Sequence, residues 1–363
     1  MKHIDFGDFH KTVANKWDHK PLHGHIELTY RCDLDCIHCY CKGNEDKSQE
    51  LSLNEWKEIF DEIQREGCVW LTMSGGEPSL RDDFLELYSY AKDKGFIITL
   101  FTNAHAVSDT VIEYLIKSPP MLIEVTLNGI TKDTYETVTQ VEGSFERCMT
   151  AINKMIHGGL YLMIKSNYLS VNKDEIPKIK EWTEQNIGKL SKNAYRFKYD
   201  PIISPRLNGD TSSCRYRLSF DELMEARKDD PDIWKEYKKC LHSGYEDLQR
   251  DRRYLYQCNS WMRQFFVNPY GRLKFCILTD KFSVDLRTTP FKEGFYHTFP
   301  QLLKEEFKTN SKCQFCDLKA LCFTCPAKAL LETGDEEAPV EYYCRLAEEN
   351  KRYREALHCS KQR

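Results

Sequence analysis

Three cysteines within eight residues constrain this chain more than any other feature. Cys32, Cys36 and Cys39 have a C-x3-C-x2-C spacing and directly follow a short apolar strand predicted over residues 25–30. Thiolates at this spacing can hold three corners of a cubane iron–sulfur cluster and leave the fourth iron without a protein ligand. A zinc site or a set of unrelated buried thiols is the alternative, although structural zinc normally takes a fourth protein ligand.

The cysteine spacing resembles that of the radical S-adenosylmethionine (SAM) enzymes. They carry it after the first strand of a partial barrel, usually with an aromatic-type residue before the last cysteine, as His38 is here. The resemblance implies that the amino and carboxylate groups of SAM chelate the open iron. It also implies that one electron from the reduced cluster cleaves SAM to a 5′-deoxyadenosyl radical, which abstracts hydrogen from the substrate. A low-potential electron donor such as flavodoxin or ferredoxin is then a partner.

Composition narrows the class of protein. A chain of 363 residues has room for one barrel-sized domain and a smaller one. A formal net charge of −4 does not indicate the excess positive charge that favours binding to nucleic acid or an anionic membrane. The chain has no 18-residue apolar run and no apolar signal-peptide core, so we expect a cytoplasmic protein. Sixteen cysteines in a reducing compartment indicate metal or redox chemistry rather than disulfides.

Strand-like and helical segments alternate up to about residue 200. Strands are predicted at 25–30, 69–73, 96–101, 121–126, 160–167 and 195–199, and helices at 52–66, 81–94, 108–117, 146–157 and 173–187. Alternation of this kind indicates an α/β fold with a parallel sheet and crossover helices. Six such units fit the partial (β/α)6 TIM-like barrel that the resemblance implies. In barrels of this type the chemistry lies at the C-terminal ends of the strands.

A glycine pair and an acid follow the second predicted strand, as Gly75, Gly76 and Glu77 before Pro78. Paired glycines permit a close backbone approach, and a carboxylate can accept hydrogen bonds from an ammonium group. An ordinary strand-to-helix turn is the alternative. Together with the three cysteines, the segment is similar to the family's GGEP motif, which the resemblance implies at the amino group of SAM.

Polar residues close the third and fourth predicted strands. They are Thr102 and Asn103 after the third strand and Thr126 after the fourth. The resemblance implies that these side chains contact the ribose and methionine portions of SAM. Without the family resemblance, these residues would be interpreted as loop caps.

Two positions depart from the family pattern. Asn128 stands where many relatives have Asp, and Thr139 stands where many have an arginine that pairs with the SAM carboxylate. Lys165 on the fifth predicted strand is a candidate for the missing cation, and a solvated or structurally paired lysine is the alternative.

Asp200 ends the sixth predicted strand, where an acid could exchange a proton with the substrate or cap the following turn.

Seven further cysteines lie between residues 258 and 344. They are Cys258 and Cys276 with Gly271 between them, then Cys313, Cys316, Cys322 and Cys325 at C-x2-C-x5-C-x2-C spacing, and finally Cys344. Seven thiols at such short spacing indicate metal, with two zinc sites as the alternative. Of the six other cysteines, all but Cys240 are expected to be bystanders that match no motif: Cys41, Cys68, Cys148, Cys214 and Cys359.

The later cysteines resemble the SPASM extension of radical SAM enzymes, with x2 rather than x3 before Cys325. The resemblance implies two auxiliary [4Fe–4S] clusters, and so three clusters in all. The implied ligands are Cys258, Cys276 and Cys325 for the first auxiliary cluster and Cys313, Cys316, Cys322 and Cys344 for the second. The first set is one ligand short, since Arg252 stands where fully ligated relatives have a cysteine. Cys240, a non-cysteine group or an open iron are the alternatives.

These patterns divide the chain into an N-terminal arm (1–24), the barrel (25–204), a bridging region (205–254), the SPASM domain (255–345) and a C-terminal helix (346–363). Many peptide-modifying relatives have an N-terminal leader-recognition domain. An arm of 24 residues cannot hold one, so we expect that a leader peptide, if one is recognised, binds a separate protein or another surface.

SPASM enzymes most often modify peptides or proteins, so the resemblance predicts a peptide- or protein-modifying maturase. The modifications formed by the family include thioether and carbon–carbon crosslinks, epimerised residues and formylglycine. Two alternatives remain. One is a radical SAM enzyme that modifies a tetrapyrrole of the haem pathway or another cofactor, and the other is an electron-transfer or structural metal protein without SAM chemistry.

Overall fold

The computed structural model describes residues 19–191, 194–228, 251–258 and 262–361. Within them, one nine-stranded sheet has the order β11-β10-β9-β1-β2-β3-β4-β5-β8, and β6 and β7 form a separate hairpin. The strands are β1 His23–Glu27, β2 Trp70–Ser74, β3 Ile97–Thr102, β4 Leu122–Thr126, β5 Leu162–Asn167, β6 Lys189–Ser191, β7 Ala194–Tyr195, β8 Phe197–Asp200, β9 Gln264–Val267, β10 Arg272–Lys274 and β11 Val284–Asp285.

Six parallel strands in sequence order form the predicted partial barrel: β1, β2, β3, β4, β5 and β8. The predicted α/β class and the barrel topology are therefore confirmed. The first strand ends three residues earlier than predicted. Its continuation turns at Thr29, whose carbonyl accepts a hydrogen bond from Gly76 at 2.7 Å instead of extending the ladder. The predicted strand 195–199 divides between β7 and β8.

Helices follow the barrel strands along the chain and continue into the C-terminal region. They are α1 Leu53–Arg65, α2 Phe84–Asp93, α3 Asp109–Lys117, α4 Lys132–Thr139, α5 Ser144–His157, α6 Ile176–Asn186, α7 Phe220–Lys228, α8 Phe291–Glu293, α9 Lys312–Phe315, α10 Pro326–Thr333 and α11 Glu341–Lys361. Helix α1 begins with a capping box, in which Ser52 and Glu55 each accept a hydrogen bond from the other's backbone N–H. The sequence prediction missed α4, a short helix with few apolar residues that lies beside the cysteine loop.

The C-terminal cysteine-rich region adds strands to the barrel sheet. Strand β9 pairs in parallel with β1, with Phe265 opposite Gly24, and β10 and β11 follow in antiparallel order. The close approach suits glycine, because a Cβ at Gly24 would lie 2.6 Å from the Phe265 ring. The C-terminal region therefore shares a sheet with the barrel, which the sequence patterns did not predict.

The two faces of the barrel sheet differ in polarity. Ile26, Met73 and Leu100 face outward into a core shared with Trp56 and Phe60 of α1. The alternate strand positions face the concave side, and many carry polar or charged side chains. Their charges lie inside the barrel, where a ligand would meet them.

Other sequence predictions have mixed outcomes. Residues 1–18 of the predicted arm and residues 229–250 of the predicted bridging region lie outside the described residues. The last helix begins at Glu341, five residues earlier than predicted, and so includes Cys344. Among the described residues no helix is both long and apolar enough to cross a membrane.

Candidate cluster and cofactor site

The loop after β1 brings three thiols to one cavity. Cys32, Cys36 and Cys39 all line a space of about 520 Å³. Burial raises the pKa of Cys32 to about 12, and it raises the pKa of Cys36 well above the ordinary thiol value, with further increases from Cys39 and Cys32. A three-thiol cavity has the donor set of a cluster with one open iron.

Backbone hydrogen bonds from distant elements hold this cysteine loop. Asp35 N–H donates to the Thr139 carbonyl at 2.9 Å and Ile37 N–H to the Val138 carbonyl at 3.0 Å, both at the end of α4. On the other side, Leu207 N–H donates to the Tyr40 carbonyl at 2.8 Å. Thr139 thus supports the loop through its backbone, while its hydroxyl hydrogen-bonds with Ser144 at 2.8 Å.

The glycine pair lies directly against the start of the cysteine loop. Gly76 N–H donates to Thr29, and Glu77 N–H donates to the Arg31 carbonyl at 2.8 Å. A Cβ at Gly75 would lie 2.2 Å from the Thr29 oxygen, and one at Gly76 would lie 2.3 Å from the Arg31 oxygen. Only glycine permits this approach, so the GGEP segment positions the loop that carries the thiols.

Glu77 is fully buried and joins two strand ends. One carboxylate oxygen accepts hydrogen bonds from the Ser79 hydroxyl at 2.6 Å and its N–H at 3.1 Å. The other accepts bonds from the Thr102 hydroxyl and Asn103 N–H, both at 2.8 Å. Burial raises the pKa of Glu77, opposed by these hydrogen bonds.

Asn103 links the end of β3 to the first cysteine. Its side-chain N–H group lies 3.4 Å from Cys32 Sγ and donates to Asp33 at 3.0 Å. The other Asp33 oxygen pairs with the ring of His105. The predicted residues Gly75, Gly76, Glu77, Thr102 and Asn103 therefore form one connected group beside the cysteine cavity.

A second polar group lies at the ends of β4 and β5. His38 Nε2 lies 3.1 Å from Asn167 Oδ1, and Asn167 N–H donates to Asn128 Oδ1 at 2.8 Å. Burial lowers the pKa of His38 to about 4, with Asn167 acting in the opposite direction and Lys165 lowering it further. Thr126 is the last residue of β4 and pairs with Lys165 in register.

Lys165 and Asp200 both have partners within the protein. The Lys165 ammonium lies 4.0 Å from Glu124 Oε1 on the concave face, below the strand ends. Asp200 accepts a hydrogen bond from Ile202 N–H at 2.9 Å, the turn-capping arrangement that was the alternative to an acid–base role.

Two residues at the cavity were missed by sequence reasoning. Arg206 lines it, donates to Asp210 at 2.8 Å, and has a buried Nε without a hydrogen-bond partner among the described residues. Cys41, predicted to be a bystander, lines the same cavity, with its Sγ 3.4 Å from Cys39 Sγ. The position of Cys41 two residues after Cys39 was the available signal. Nothing in the local sequence distinguishes Arg206.

All seven C-terminal cysteines line a second cavity of about 340 Å³. Several lie at element ends. Cys313 lies in α9 and Cys316 follows it, Cys325 caps the N-terminus of α10, and Cys344 lies in the first turns of α11. Residues far apart in the chain therefore meet around one space.

The seven thiols fall into two neighbourhoods. Burial raises the pKa of Cys276 to about 11, with nearby Cys325 and Cys258 adding to the increase. Burial likewise raises the pKa of Cys322 to about 11, and its contributing neighbours are Cys344, Cys313 and Cys316. The assignment of these thiols to two cluster ligand sets stays a prediction.

Among the described residues, no group of three or more His, Cys, Asp or Glu side chains is close enough together to hold a metal ion. Arg252 is exposed and donates to Asp317 at 2.9 Å, and Cys240 lies outside the described residues.

Comparison with known proteins identifies similar sequences and folds. Residues 26–185 match the model of the Radical SAM superfamily. The AdoMet-dependent heme synthase of Methanosarcina barkeri is 24% identical, over 88% of this chain and 94% of that protein. The mycofactocin maturase MftC of Mycolicibacterium smegmatis is 31% identical, over 37% of this chain and 34% of that protein.

A solved structure has a similar fold. It is SuiB of Streptococcus suis bound to its precursor peptide SuiA, with a TM-score of 0.69 and 17% sequence identity. The match covers 93% of this chain and 78% of SuiB. At this level of identity the likeness concerns the fold.

Proposed function

The chain contains a radical SAM domain over residues 26–185, and we propose that this enzyme abstracts hydrogen from a peptide or protein substrate. The observation that carries the proposal is the convergence of Cys32, Cys36 and Cys39 on one cavity. The fold it shares with SuiB, which was solved with a precursor peptide, supports a peptide substrate.

The three thiols are proposed to hold a [4Fe–4S] cluster beside the SAM site. When bound and reduced, this cluster with SAM would supply a 5′-deoxyadenosyl radical. Gly75, Gly76, Glu77, Thr102, Asn103 and Thr126 are proposed to bind SAM. The hydrogen-bonded group around Glu77 would hold their strand ends at fixed positions, and the surrounding barrel would exclude water.

The SAM carboxylate needs a cation, and two residues are candidates. Lys165 is the sequence prediction, and its ammonium is near enough to His38 to lower the pKa of that ring. Arg206 lines the cysteine cavity itself and has a buried Nε without a partner in the described part of the chain. If Arg206 is the anchor, Arg206→Met will weaken SAM binding while Lys165→Met will not.

We further propose two auxiliary clusters, with Cys258, Cys276 and Cys325 on the first and Cys313, Cys316, Cys322 and Cys344 on the second. The two thiol neighbourhoods support this division. The auxiliary clusters would accept the electron left after hydrogen abstraction or bind the substrate. A low-potential donor such as flavodoxin or ferredoxin and a separate leader-peptide-binding protein complete the proposed partners. Asp200 is retained as a candidate proton donor or acceptor.

A tetrapyrrole is the second candidate substrate. Similarity to the Methanosarcina barkeri heme synthase extends over 94% of that protein, whereas similarity to MftC covers about a third of MftC. Incubation with a tetrapyrrole and with candidate precursor peptides, followed by mass spectrometry, would distinguish the two classes of substrate.

The proposal is tested by measuring 5′-deoxyadenosine released from SAM by the anaerobically reconstituted, dithionite-reduced protein. The parent is expected to release it and Cys32→Ala is not. Three clusters predict about twelve irons per chain, and Cys32→Ala or Cys322→Ala should each lose about four. Cys68→Ala, at a buried thiol outside both cavities, is the matched control. Zinc in place of iron in the purified parent would contradict the proposal.

A further inference from the structure

The concave face of the barrel holds two ammonium groups around one carboxylate. Lys165 of β5 and Lys198 of β8 pair in register on neighbouring strands. Both ammoniums approach Glu124 of β4, Lys165 at 4.0 Å and Lys198 in direct contact. Each ammonium also lies 5.8 Å from the centre of the Phe101 ring on β3.

The carboxylate lies behind the ammoniums. The Glu124 side chain is 3% exposed, whereas Lys165 is 28% and Lys198 is 48% exposed. The two cations therefore face the open concavity, and Glu124 supports them from below. This arrangement differs from a surface ion pair, in which both partners meet water.

The charges of this group do not cancel. One carboxylate faces two ammoniums, and like charges directly opposite each other on neighbouring strands are unfavourable. The nearby His25 adds no positive charge near neutral pH, since burial lowers its pKa to about 4, with a further decrease from Lys165. Glu124 Oε1 is buried and has no hydrogen-bond partner among the described residues. An anion between the lysines would offset the excess charge.

The position of the group suits a substrate. Lys165 and Lys198 lie one layer of side chains below Asn167 and Asp200, which end their strands. β8 is an edge of the sheet, so its concave residues border the open side of the barrel. A group bound here would hold a substrate beneath the cysteine loop.

We propose that Lys165 and Lys198 bind a carboxylate of the substrate, positioned by Glu124. The inference rests on the proposed function and names its substrate class, an acid-bearing molecule. It assigns Lys165 to the substrate and leaves Arg206 for the SAM carboxylate. A carboxylate of this kind belongs either to an acidic side chain of a peptide or to a propionate of a tetrapyrrole.

The test compares acids with matched neutral compounds by titration calorimetry of the anaerobically reconstituted protein with SAM present. One pair is N-acetylglutamate N-methylamide and its glutamine analogue, and the other is iron coproporphyrin III and its methyl ester. The wild type should bind at least one acid about tenfold or more tightly than its neutral partner, since charge-assisted hydrogen bonds are the stronger ones. If the protein prefers the acid in only one of the two pairs, that pair shows whether the carboxylate comes from a peptide side chain or from a tetrapyrrole propionate.

Variants assign that preference to the lysines. Lys165→Met and Lys198→Met should each remove most of the preference for the acid, and Lys198→Met should leave SAM affinity unchanged. Lys308→Met, at a side chain 77% exposed, should retain it. The single variant Lys198→Met leaves the buried Glu124 carboxylate without this partner, which can prevent folding. The double variant Lys198→Met/Glu124→Gln removes both charges together and so serves as the folding control.

Three results would overturn the inference. They are a wild type without acid preference in either pair, Met variants that keep the preference, and a Lys165→Met variant that loses SAM affinity instead. Release of 5′-deoxyadenosine is measured on the same samples. If release fails while acid preference persists, the radical SAM proposal fails and the carboxylate site stands.

Discussion

The Glu77 carboxylate accepts a hydrogen bond from the Thr102 hydroxyl at 2.8 Å and so joins the turn after β2 to the end of β3. The same oxygen accepts Asn103 N–H, and the other oxygen is bonded by Ser79. Protein donors therefore bond both oxygens of this acid. The Glu77 side chain can support the SAM site by fixing the backbone around it.

We predict that Glu77→Gln destabilises the protein by about 1–3 kcal/mol, because an amide N–H₂ group must face donors that the carboxylate now satisfies. Urea unfolding measures this change. Glu86→Gln, at a side chain 57% exposed, should alter the free energy of unfolding little. An unchanged unfolding midpoint in Glu77→Gln would show that Glu77 has no supporting role.

Gly76→Ala should destabilise the protein by about 3 kcal/mol or more, because its Cβ would lie 2.3 Å from a backbone oxygen that cannot rotate away. Gly67→Ala is the matched control. Its Cβ meets nothing within 4 Å, and the cost there is the left-handed backbone at φ +92°, about 1–2 kcal/mol. Thermal unfolding compares the two. Equal losses would contradict the proposed close contact.

Stability should fall in mild acid through His25. Burial lowers the pKa of His25 to about 4, with Lys165 adding to the decrease, so the folded ring stays neutral while the unfolded ring binds a proton below about pH 6.5. The contribution is fully present above pH 6.5 and is lost as pH falls toward 4. It amounts to at most about 3 kcal/mol.

His25→Gln keeps a side chain able to bond Ser74 and should lose less stability between pH 7 and pH 4.5 than the wild type. Urea unfolding at both pH values measures the difference, with exposed His157→Gln as the control. Identical pH dependence in His25→Gln and the wild type would show that His25 is protonated equally in both states.

A buried ion pair ties the bridging region to the C-terminal region. Arg217 donates to Glu332 of α10 at 2.8 and 2.7 Å and to the Ile203 carbonyl at 2.9 Å. We predict that Glu332→Gln costs about 3 kcal/mol, because it leaves a buried guanidinium poorly paired. Glu341→Gln, in a pair with Arg345 whose side chains are both 75% exposed, should cost less than about 1 kcal/mol. Equal costs in urea unfolding would contradict this difference.

Much of the cysteine site could be predicted from local spacing. Cys32, Cys36 and Cys39 lie in one loop, and a C-x3-C-x2-C pattern fixes their separation whatever surrounds them. The GGEP segment was predictable because few residues tolerate the geometry of Gly75 and Gly76. The contacts of Glu77 were not predictable, because Thr102 and Asn103 come from the next strand. The sequence does not show which donors will reach a carboxylate.

The sequence by itself determined the barrel order and the two cysteine groups, because strand periodicity and cysteine spacing are short-range properties. Only the tertiary structure decided that Lys165 and Lys198 meet Glu124, and that Arg206 lines the cysteine cavity. Each of those contacts joins separate strands or loops. The strand register decides which face a side chain occupies, and long-range packing sets that register.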